Sequence, residues 1–457
     1  MKHIPKVPLV ATVAATAALL IAPATSAQVA TTPSPTVTTY PSAAQGAADI
    51  TVDTGTKYQT IDGFGAATPI WGDANGQWTT AETQTLVGLG PGQLGMSIVR
   101  TGVSPVSNEW SYLVNSLKTA KSYGSNVKIL ASPWTAPANF KTNNSRVNGG
   151  KLKADYYDDY ANHLNSFVQY LKGKSIAVDV TSVQNEPDWH PNYDSMDWTG
   201  QELAKFVKEQ GAKVKDTQLM VAESMGFNRS YTDPTLKDAA ARANIGYVGG
   251  HLYDAESQGN LSAYPLAAQY GKNQWMTEWN LHAADGNGSN IWGNPSNATV
   301  WNETLDNIMR TVHKSMESNW SAYVWWYGRR FYSFIGDGEA QYGTTKGAVL
   351  KRGQAFSQFS KYVRPGYQRV LLTKSSKASG LEVTAYQGDG KITLVVLNRS
   401  TKAVDNAIVQ VPQKVSQAEY YITSQSQGAA SGSTALNGDQ VTVSVGARSI
   451  STVVLTL

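Results

Sequence analysis

Val178-Asp179-Val180-Thr181-Ser182-Val183-Gln184-Asn185-Glu186-Pro187 is strand-length, rich in β-branched residues, and stops at a carboxylate followed by a proline that would end a strand. Further along, Gln274-Trp275-Met276-Thr277-Glu278-Trp279 repeats the pattern, a short apolar run closed by a second glutamate. In a parallel α/β barrel the carboxyl ends of the strands form one functional face, so both acids are expected to point into a single site.

The flanking sequence supports that reading. From about residue 60 to 363 strand-like and helix-like segments alternate. Candidate strands end near Phe64, Arg100, Ala131, Glu186, Glu223, Tyr253, Glu278 and Trp326. Helical patterns lie between them, clearest over Tyr157 to Leu171, Gly200 to Val214 and Thr299 to Met316. Eight strands with intervening helices predict a (β/α)8 TIM barrel, an α/β fold. A doubly wound sheet is the rival, but Gly63-Phe64-Gly65 lacks the third glycine of a dinucleotide-binding turn.

After Pro365-Gly366 the pattern becomes all-β. Leu381 to Tyr386 and Ile392 to Leu397 flank Gln387-Gly388-Asp389-Gly390, a hairpin signal. Residues 364–457 therefore read as a fused side β-sandwich domain, and the alternating segment Ile50-Thr51-Val52-Asp53 is expected to complete it from 49–59. The 457 residues suit a barrel of about 250 residues or more with an accessory domain.

Residues 1–27 read as a secretory signal. Lys2, His3 and Lys6 precede an apolar stretch from Leu9 to Ala22, and Thr25-Ser26-Ala27 offers small residues for cleavage. The Thr/Ser/Pro-rich residues 28–48 read as a linker. A secreted protein, extracellular or periplasmic and monomeric, is expected. No later stretch reaches the ~20 apolar residues of a membrane span. The net charge of +4 loses two lysines with the signal, leaving 36 basic against 34 acidic residues and no basic block, so nucleic acid is not an expected partner. Six histidines and no cysteine give no zinc-type cluster, and neither a metal nor a cofactor is expected.

Two facing carboxylates at a barrel mouth are the equipment for hydrolysing a glycosidic bond. Asn185 offers an amide to a sugar hydroxyl, and Trp275 and Trp279 flank the second acid with flat apolar surfaces. Thirteen tryptophans and 23 tyrosines read either as a Trp-rich core or as the lining of a cleft for ring-shaped polar ligands.

At this point the motifs carry a resemblance. Thr60-Ile61-Asp62-Gly63-Phe64-Gly65-Ala66, Ser132-Pro133-Trp134-Thr135-Ala136-Pro137, Val183 to Trp189, Gly249-Gly250-His251-Leu252-Tyr253, Trp275-Met276-Thr277-Glu278 and Tyr323-Val324-Trp325-Trp326-Tyr327 resemble glycoside hydrolase family 30, in order from about residue 50 onward. Within it the likeness is to the bacterial glucuronoxylan endo-xylanases. The resemblance implies a retaining mechanism with Glu186 as acid/base and Glu278 as nucleophile, which needs carboxyls ~5–5.5 Å apart. The acid's pKa must be raised, and the nearby Glu278 would help to raise it.

Arg100 resembles the arginine that steadies the nucleophile, although a structural ion pair is the alternative. Tyr253 and His251 are expected to hold the nucleophile's geometry, His251 being equally readable as a core histidine. Trp326 is expected to floor the sugar beside the cleaved bond. Trp134 serves another subsite or packs, Trp189 is a further candidate contact, and Glu223 reads as structural. Arg330 and Tyr332 match positions that grip an acidic branch, because a guanidinium presents a bidentate fork to a carboxylate. Phe331, the long loop Phe334 to Leu350, Trp279-Asn280 and the Gly/Asn-rich stretch Asp285 to Asn297 depart from the subgroup pattern, which bears on specificity.

The expected function is a retaining endo-β-glycanase acting on β-1,4-xylan, with glucuronoxylan as its decorated form. The alternatives are another β-glycan (β-1,6-galactan or β-1,6-glucan), release of short products from xylan chain ends, and a non-catalytic carbohydrate-binding barrel.

Overall fold

The first strand, β1 (Ile50–Thr60), joins the side sheet, and the chain then enters the barrel. The computed structural model describes residues 46–70, 76–124, 126–283 and 290–457. The expected signal segment, all but the last three residues of the expected linker, and residues 285–289 of the Gly/Asn-rich stretch lie outside the described residues. Among the described residues no helix is long and apolar enough to cross a membrane.

Eight parallel strands close the barrel in chain order: β2 (Gly63–Ala67), β3 (Ile98–Gly102), β4 (Lys128–Ser132), β5 (Val180–Ser182), β6 (Gln218–Ser224), β7 (Ile245–His251), β8 (Asn273–Glu278) and β9 (Ala322–Trp325), with β2 paired to β9. Ile98, Leu130, Val180, Met220, Trp275, Ala322 and Val324 fill the interior, so the barrel is a packed core and not a pore. Trp275, expected beside the second acid as a sugar platform, is part of this filling. Its indole Nε1–H donates to Asp62 Oδ2 at 2.9 Å. The pairing of β7 with β8 shifts register between Met276 and Glu278, so the alternation that turns Trp275 into the barrel does not run unbroken to the acid at the mouth.

The outer helices cover the strands with apolar stripes. Along Tyr157–Gly173 the buried residues Tyr157, Tyr160, Ala161, Leu164, Phe167, Val168 and Leu171 recur at helical spacing. Gly200–Gln210 starts with a capping box between Thr199 and Glu202. It stops short of the expected Val214 because the poor helix former Gly211 opens a 3-10 turn, Gly211–Lys213. The third expected helix runs continuously through Ala298–Glu303, a π-helical turn Thr304–Met309 and Arg310–Glu317.

The side domain is one ten-stranded, mostly antiparallel sheet. It comprises β1 with β10 (Gln368–Lys374), β11 (Glu382–Gly388), β12 (Lys391–Asn398), β13 (Val404–Gln410), β14 (Gln417–Ser424), β15 (Ala430–Ser431), β16 (Thr434–Asn437), β17 (Gln440–Val445) and β18 (Ser449–Thr456). The sheet curls until β14 approaches β16, enclosing its own apolar core as the two layers of a sandwich. β1 lies between β10, antiparallel, and β13, parallel. The expected hairpin joins β11 to β12 through Asp389 and Gly390, both at positive φ, the two-residue turn that matches strand twist. Arg448 fastens sheet to barrel, its Nη1 and Nη2 donating to Asp306 at 2.7 and 2.6 Å.

Candidate active site

Arg100, fully buried on β3, organises the barrel mouth. Its Nη1 donates to Glu278 Oε2 at 2.6 Å, its Nη2 to Asn185 Oδ1 at 2.6 Å and its Nε to Ser132 Oγ at 3.2 Å, while Nη2 also stands 3.1 Å from Glu223 Oε1. A planar fork suits this arrangement because it reaches several acceptors from one rigid group.

β5 pairs only as far as Ser182, earlier than expected, and the chain reaches Glu186 as irregular backbone. The Gln184 amide holds this segment by donating to the carbonyls of Trp134 at 2.8 Å and Asn185 at 2.7 Å. Glu186 itself has φ +47°, a left-handed conformation that costs a residue with a Cβ about 1–3 kcal/mol. Its N–H donates to the Glu223 carbonyl at 3.0 Å, and its own carbonyl accepts from Trp189 N–H at 3.1 Å. These bonds fix the carboxyl over the mouth.

His251 closes β7 with its ring fully buried. Nδ1 lies 3.0 Å from Glu186 Oε1, and Nε2 lies 3.9 Å from Glu223 Oε1 and 4.0 Å from Glu278 Oε2. Burial disfavours its charged form, but Glu278, Glu186 and Glu223 outweigh burial and push the imidazole up to about 9. His251 was expected to hold the nucleophile candidate; its direct hydrogen-bond partner is Glu186 instead. Tyr253 holds Glu278, donating to Oε1 at 3.1 Å, and Asn280 Nδ2 donates to the Tyr253 hydroxyl at 2.8 Å. Burial first, and the charge of Glu278 next, keep Tyr253 a phenol.

Burial pushes the Glu278 carboxyl up; His251 and Arg100 pull against it and the charge of Glu186 adds to it. Glu223 is also fully buried, yet Arg100 and His251 overcome the desolvation and hold it down at about 2. Neither Glu223 oxygen receives a well-directed hydrogen bond, so it acts as a counter-charge for Arg100 and His251. Two cations thus face three carboxyls.

Glu186, His251 and Glu278 each bring one atom to within 4.8 Å of the others. That spacing also suits metal ligation. Here, however, a ligating His251 would have to give up the proton it directs at the carboxylates, and Arg100 already occupies one oxygen of Glu278. The donor set is already committed to pairing within the protein, which suits a pair of reacting acids better than a cation. Above it lies a cleft of about 500 Å³, walled by Trp134, Trp326, Tyr193, Met225 and Asn280. The Trp134 and Trp326 rings meet at 5.7 Å and 36°, with the Arg100 guanidinium 4.8 Å from the Trp134 centroid.

The structure therefore brings Glu186, Glu278, Arg100, Asn185, His251, Tyr253, Trp134 and Trp326 together. Asn185 already gives its carbonyl oxygen to Arg100, which leaves its NH2 group for a ligand. Trp189 stands 43% exposed on the loop beyond Glu186, beside the Tyr193 hydroxyl. Arg330 and Tyr332 lie apart from the cleft walls. Arg330 Nη1 donates to Glu339 Oε1 at 3.0 Å, and buried Tyr332 stacks on His282 at 4.8 Å. Most tryptophans, including Trp78, Trp292, Trp301, Trp320 and Trp325, are core residues, which favours the plainer reading of their abundance. Sequence reasoning passed over Asn280, Tyr193 and Met225. Asn280, two residues past Glu278, was visible only as a departure from a pattern, and the others sit on loops without periodicity.

A glycosyl hydrolase family 30 TIM-barrel domain model matches residues 103–299. The glucuronoxylanase XynC of Bacillus subtilis strain 168 is 34% identical over 419 residues, covering 90% of this chain and 92% of that protein. Among solved structures, the subfamily 8 xylanase Xyn30A of Clostridium acetobutylicum superposes with a TM-score of 0.77 at 29% identity over 90% of this chain and all of that one. An endoxylanase of family 30 from Clostridium papyrosolvens gives 0.73 at 30% identity over the same shares. With the barrel, the side sheet and the paired glutamates in place, that identity across nine-tenths of the chain shows that the chain belongs to glycoside hydrolase family 30.

Proposed function

We propose that this glycoside hydrolase cleaves internal β-1,4 linkages of xylan with retention of configuration, Glu278 acting as nucleophile and Glu186 as acid/base. The observation that carries the mechanism is the approach of Glu186 and Glu278, one oxygen of each within 4.8 Å of the other at the floor of the cleft. That is well under the ~6.5–9.5 Å carboxyl separation of an inverting displacement and suits direct attack on the sugar. The names of the relatives, a glucuronoxylanase and two xylanases, support xylan as the polymer.

In the first step a Glu278 oxygen attacks the anomeric carbon, the glycosidic C–O bond breaks, and Glu186 passes its proton to the leaving oxygen. In the second, Glu186 takes a proton from water as that water attacks the anomeric carbon and Glu278 departs. Arg100 and Tyr253 keep Glu278 oriented and favour its ionised form; His251 orients Glu186. Trp134 and Trp326 supply the aromatic faces on which the sugar rings rest, and the NH2 of Asn185 reaches a ring hydroxyl. The chemistry belongs to the barrel at 60–363, and the side domain at 364–457, with 49–59, braces it. Export through residues 1–27 and action as a monomer complete the reading.

Proton NMR of the earliest products from xylan tests the mechanism. The β-anomer is expected before mutarotation, and an initial α-anomer means inversion. Reducing-sugar release across xylan, β-1,6-glucan and β-1,6-galactan tests the polymer.

A further inference from the structure

We infer that Lys141, which lines no part of the cleft, is the positioning residue that holds one cleft wall in shape by tying together the two chain segments that carry it. This rests on the reading of the protein as a xylan hydrolase and adds to that site a residue that touches no substrate itself.

Val147, Tyr193 and Asp194 line the cleft together with Glu186. Val147 comes from the segment between β4 and the helix Tyr157–Gly173, and Tyr193 and Asp194 from the segment between Glu186 and the helix Gly200–Gln210. The first segment folds back on itself as a ribbon. An antiparallel bridge from Lys141 to Leu152 forms its base, and Val147 near its tip bridges Asp194 of the second segment. Ser195 N–H donates to the Arg146 carbonyl at 3.1 Å, and the Arg146 guanidinium clasps Asp194 through Nε at 3.3 Å and Nη2 at 2.7 Å. The Arg146 side chain is 35% exposed, so water competes for that pair.

Lys141 works beneath that surface. It is fully buried, and both hydrogen bonds of its ammonium go to backbone carbonyls, Ser195 at 2.6 Å and Arg146 at 3.3 Å. One head group thus reaches from the base of the ribbon to its tip and across to the second segment. Burial lowers the lysine to about 8, with Asp194 and Asp197 pulling the other way. An apolar side chain of the same length would fill the space without that desolvation cost, so packing alone does not call for a lysine. The ammonium supplies the link between the two carbonyls, in charge-assisted bonds. Glu186 does not depend on this link, because His251 holds its carboxyl and the Glu223 carbonyl holds its N–H. Removing the ammonium therefore loosens the wall that grips the polymer and leaves the reacting pair in place.

The test measures kcat and KM on linear xylan for wild-type enzyme and Lys141→Met, a side chain of similar length without charge, with folding checked by thermal melting. KM should rise about tenfold, the lower range for a charged hydrogen bond, while kcat stays within about threefold. An unchanged KM in folded variant overturns the proposal, because a lysine that serves stability alone moves the melting point and neither constant. A loss confined to kcat overturns it too. Should the variant not fold, wild-type enzyme decides. Its Lys141 is an ammonium below about 8 and a more weakly bonded amine above. The charged groups facing it are Asp194, held by Arg146, and Asp197, with His190 Nδ1 at 3.0 Å. KM on linear xylan should then climb several-fold from about pH 7 to about pH 9, whereas His251, which titrates at about 9 beside Glu186, moves kcat. A KM flat across that range overturns the proposal. Folded wild-type enzyme that hydrolyses no xylan refutes the parent reading instead.

Discussion

Arg100 and Glu278 lie 178 positions apart in sequence and meet at 2.6 Å with the guanidinium wholly out of solvent. Two carboxylates lean on this one cation, so its loss leaves both buried charges to His251 alone. Breaking a buried pair in this way costs about 3–5 kcal/mol. Arg100→Met should therefore shift the urea midpoint strongly. It should also move the acid limb of kcat/KM to higher pH, because burial already raises Glu278 and Arg100 is among the groups opposing that rise. An unmoved acid limb in folded variant enzyme would separate Arg100 from the chemistry.

Glu186→Gln and Glu278→Gln should each lower turnover on polysaccharide by several powers of ten while leaving the fold intact. The two roles separate on an aryl glycoside whose leaving group needs no proton. Glu186→Gln should still form the covalent intermediate there, giving a burst of phenol, and Glu278→Gln should give none. A burst from the Glu278 variant would reverse the assignment.

Tyr253→Phe removes one of two hydrogen bonds to Glu278 and should lower kcat by roughly ten- to a hundredfold, an effect of about 1.5–3 kcal/mol for a bond to a charged group. Asn280 acts through Tyr253, so Asn280→Ala should cost less, and the double variant should be no worse than Tyr253→Phe alone. Additive losses in that cycle would give Asn280 a separate contact with substrate.

The His251 imidazole is raised to about 9 in the fold from an ordinary 6.5. A raised base stabilises the fold fully below the unfolded value and loses that stabilisation as pH climbs through the folded one. The contribution is about 3 kcal/mol, at 1.36 kcal/mol per pH unit. Glu223 behaves oppositely: held at about 2 from an ordinary 4.5, its contribution is present above 4.5 and lost as pH falls through 2. Denaturation of His251→Gln against wild type should give a stability gap that is widest below pH 6.5 and narrows toward pH 9. A gap constant with pH would mean that His251 is neutral in the folded protein.

What could be read from the chain beforehand followed from periodicity. Strand ends near Arg100, Glu223 and Glu278 and the helices from Tyr157 and Gly200 carry strong local patterns, and the structure places them within a few residues of the expected positions. What could not be read depends on which way a side chain points. Trp275, Trp325 and Trp326 look alike in sequence, yet one fills the barrel, one packs outward against Phe334, and one walls the cleft. A single step along a strand changes the face, and β-branched runs buried on both sides do not announce the register. The engagement of Arg330 by Glu339 was equally hidden, because it is made across an irregular loop where no spacing rule applies. His251 reaches Glu186 because Glu186 sits in left-handed backbone, which no neighbouring glycine signals.

The position of β1 has a consequence for how the molecule is assembled. Ile50 pairs with Lys374 on one side and Val409 on the other, so the earliest described strand waits for partners made more than three hundred residues later. A ribosome or an export channel delivers the whole barrel before β1 can be paired, and closing so long a loop is slow. Until then β1 is an unpaired edge, open to the wrong neighbour. Chains cut short before β10 should keep that edge exposed and associate through it. The side sheet thus works as a clasp that shuts only on a finished chain.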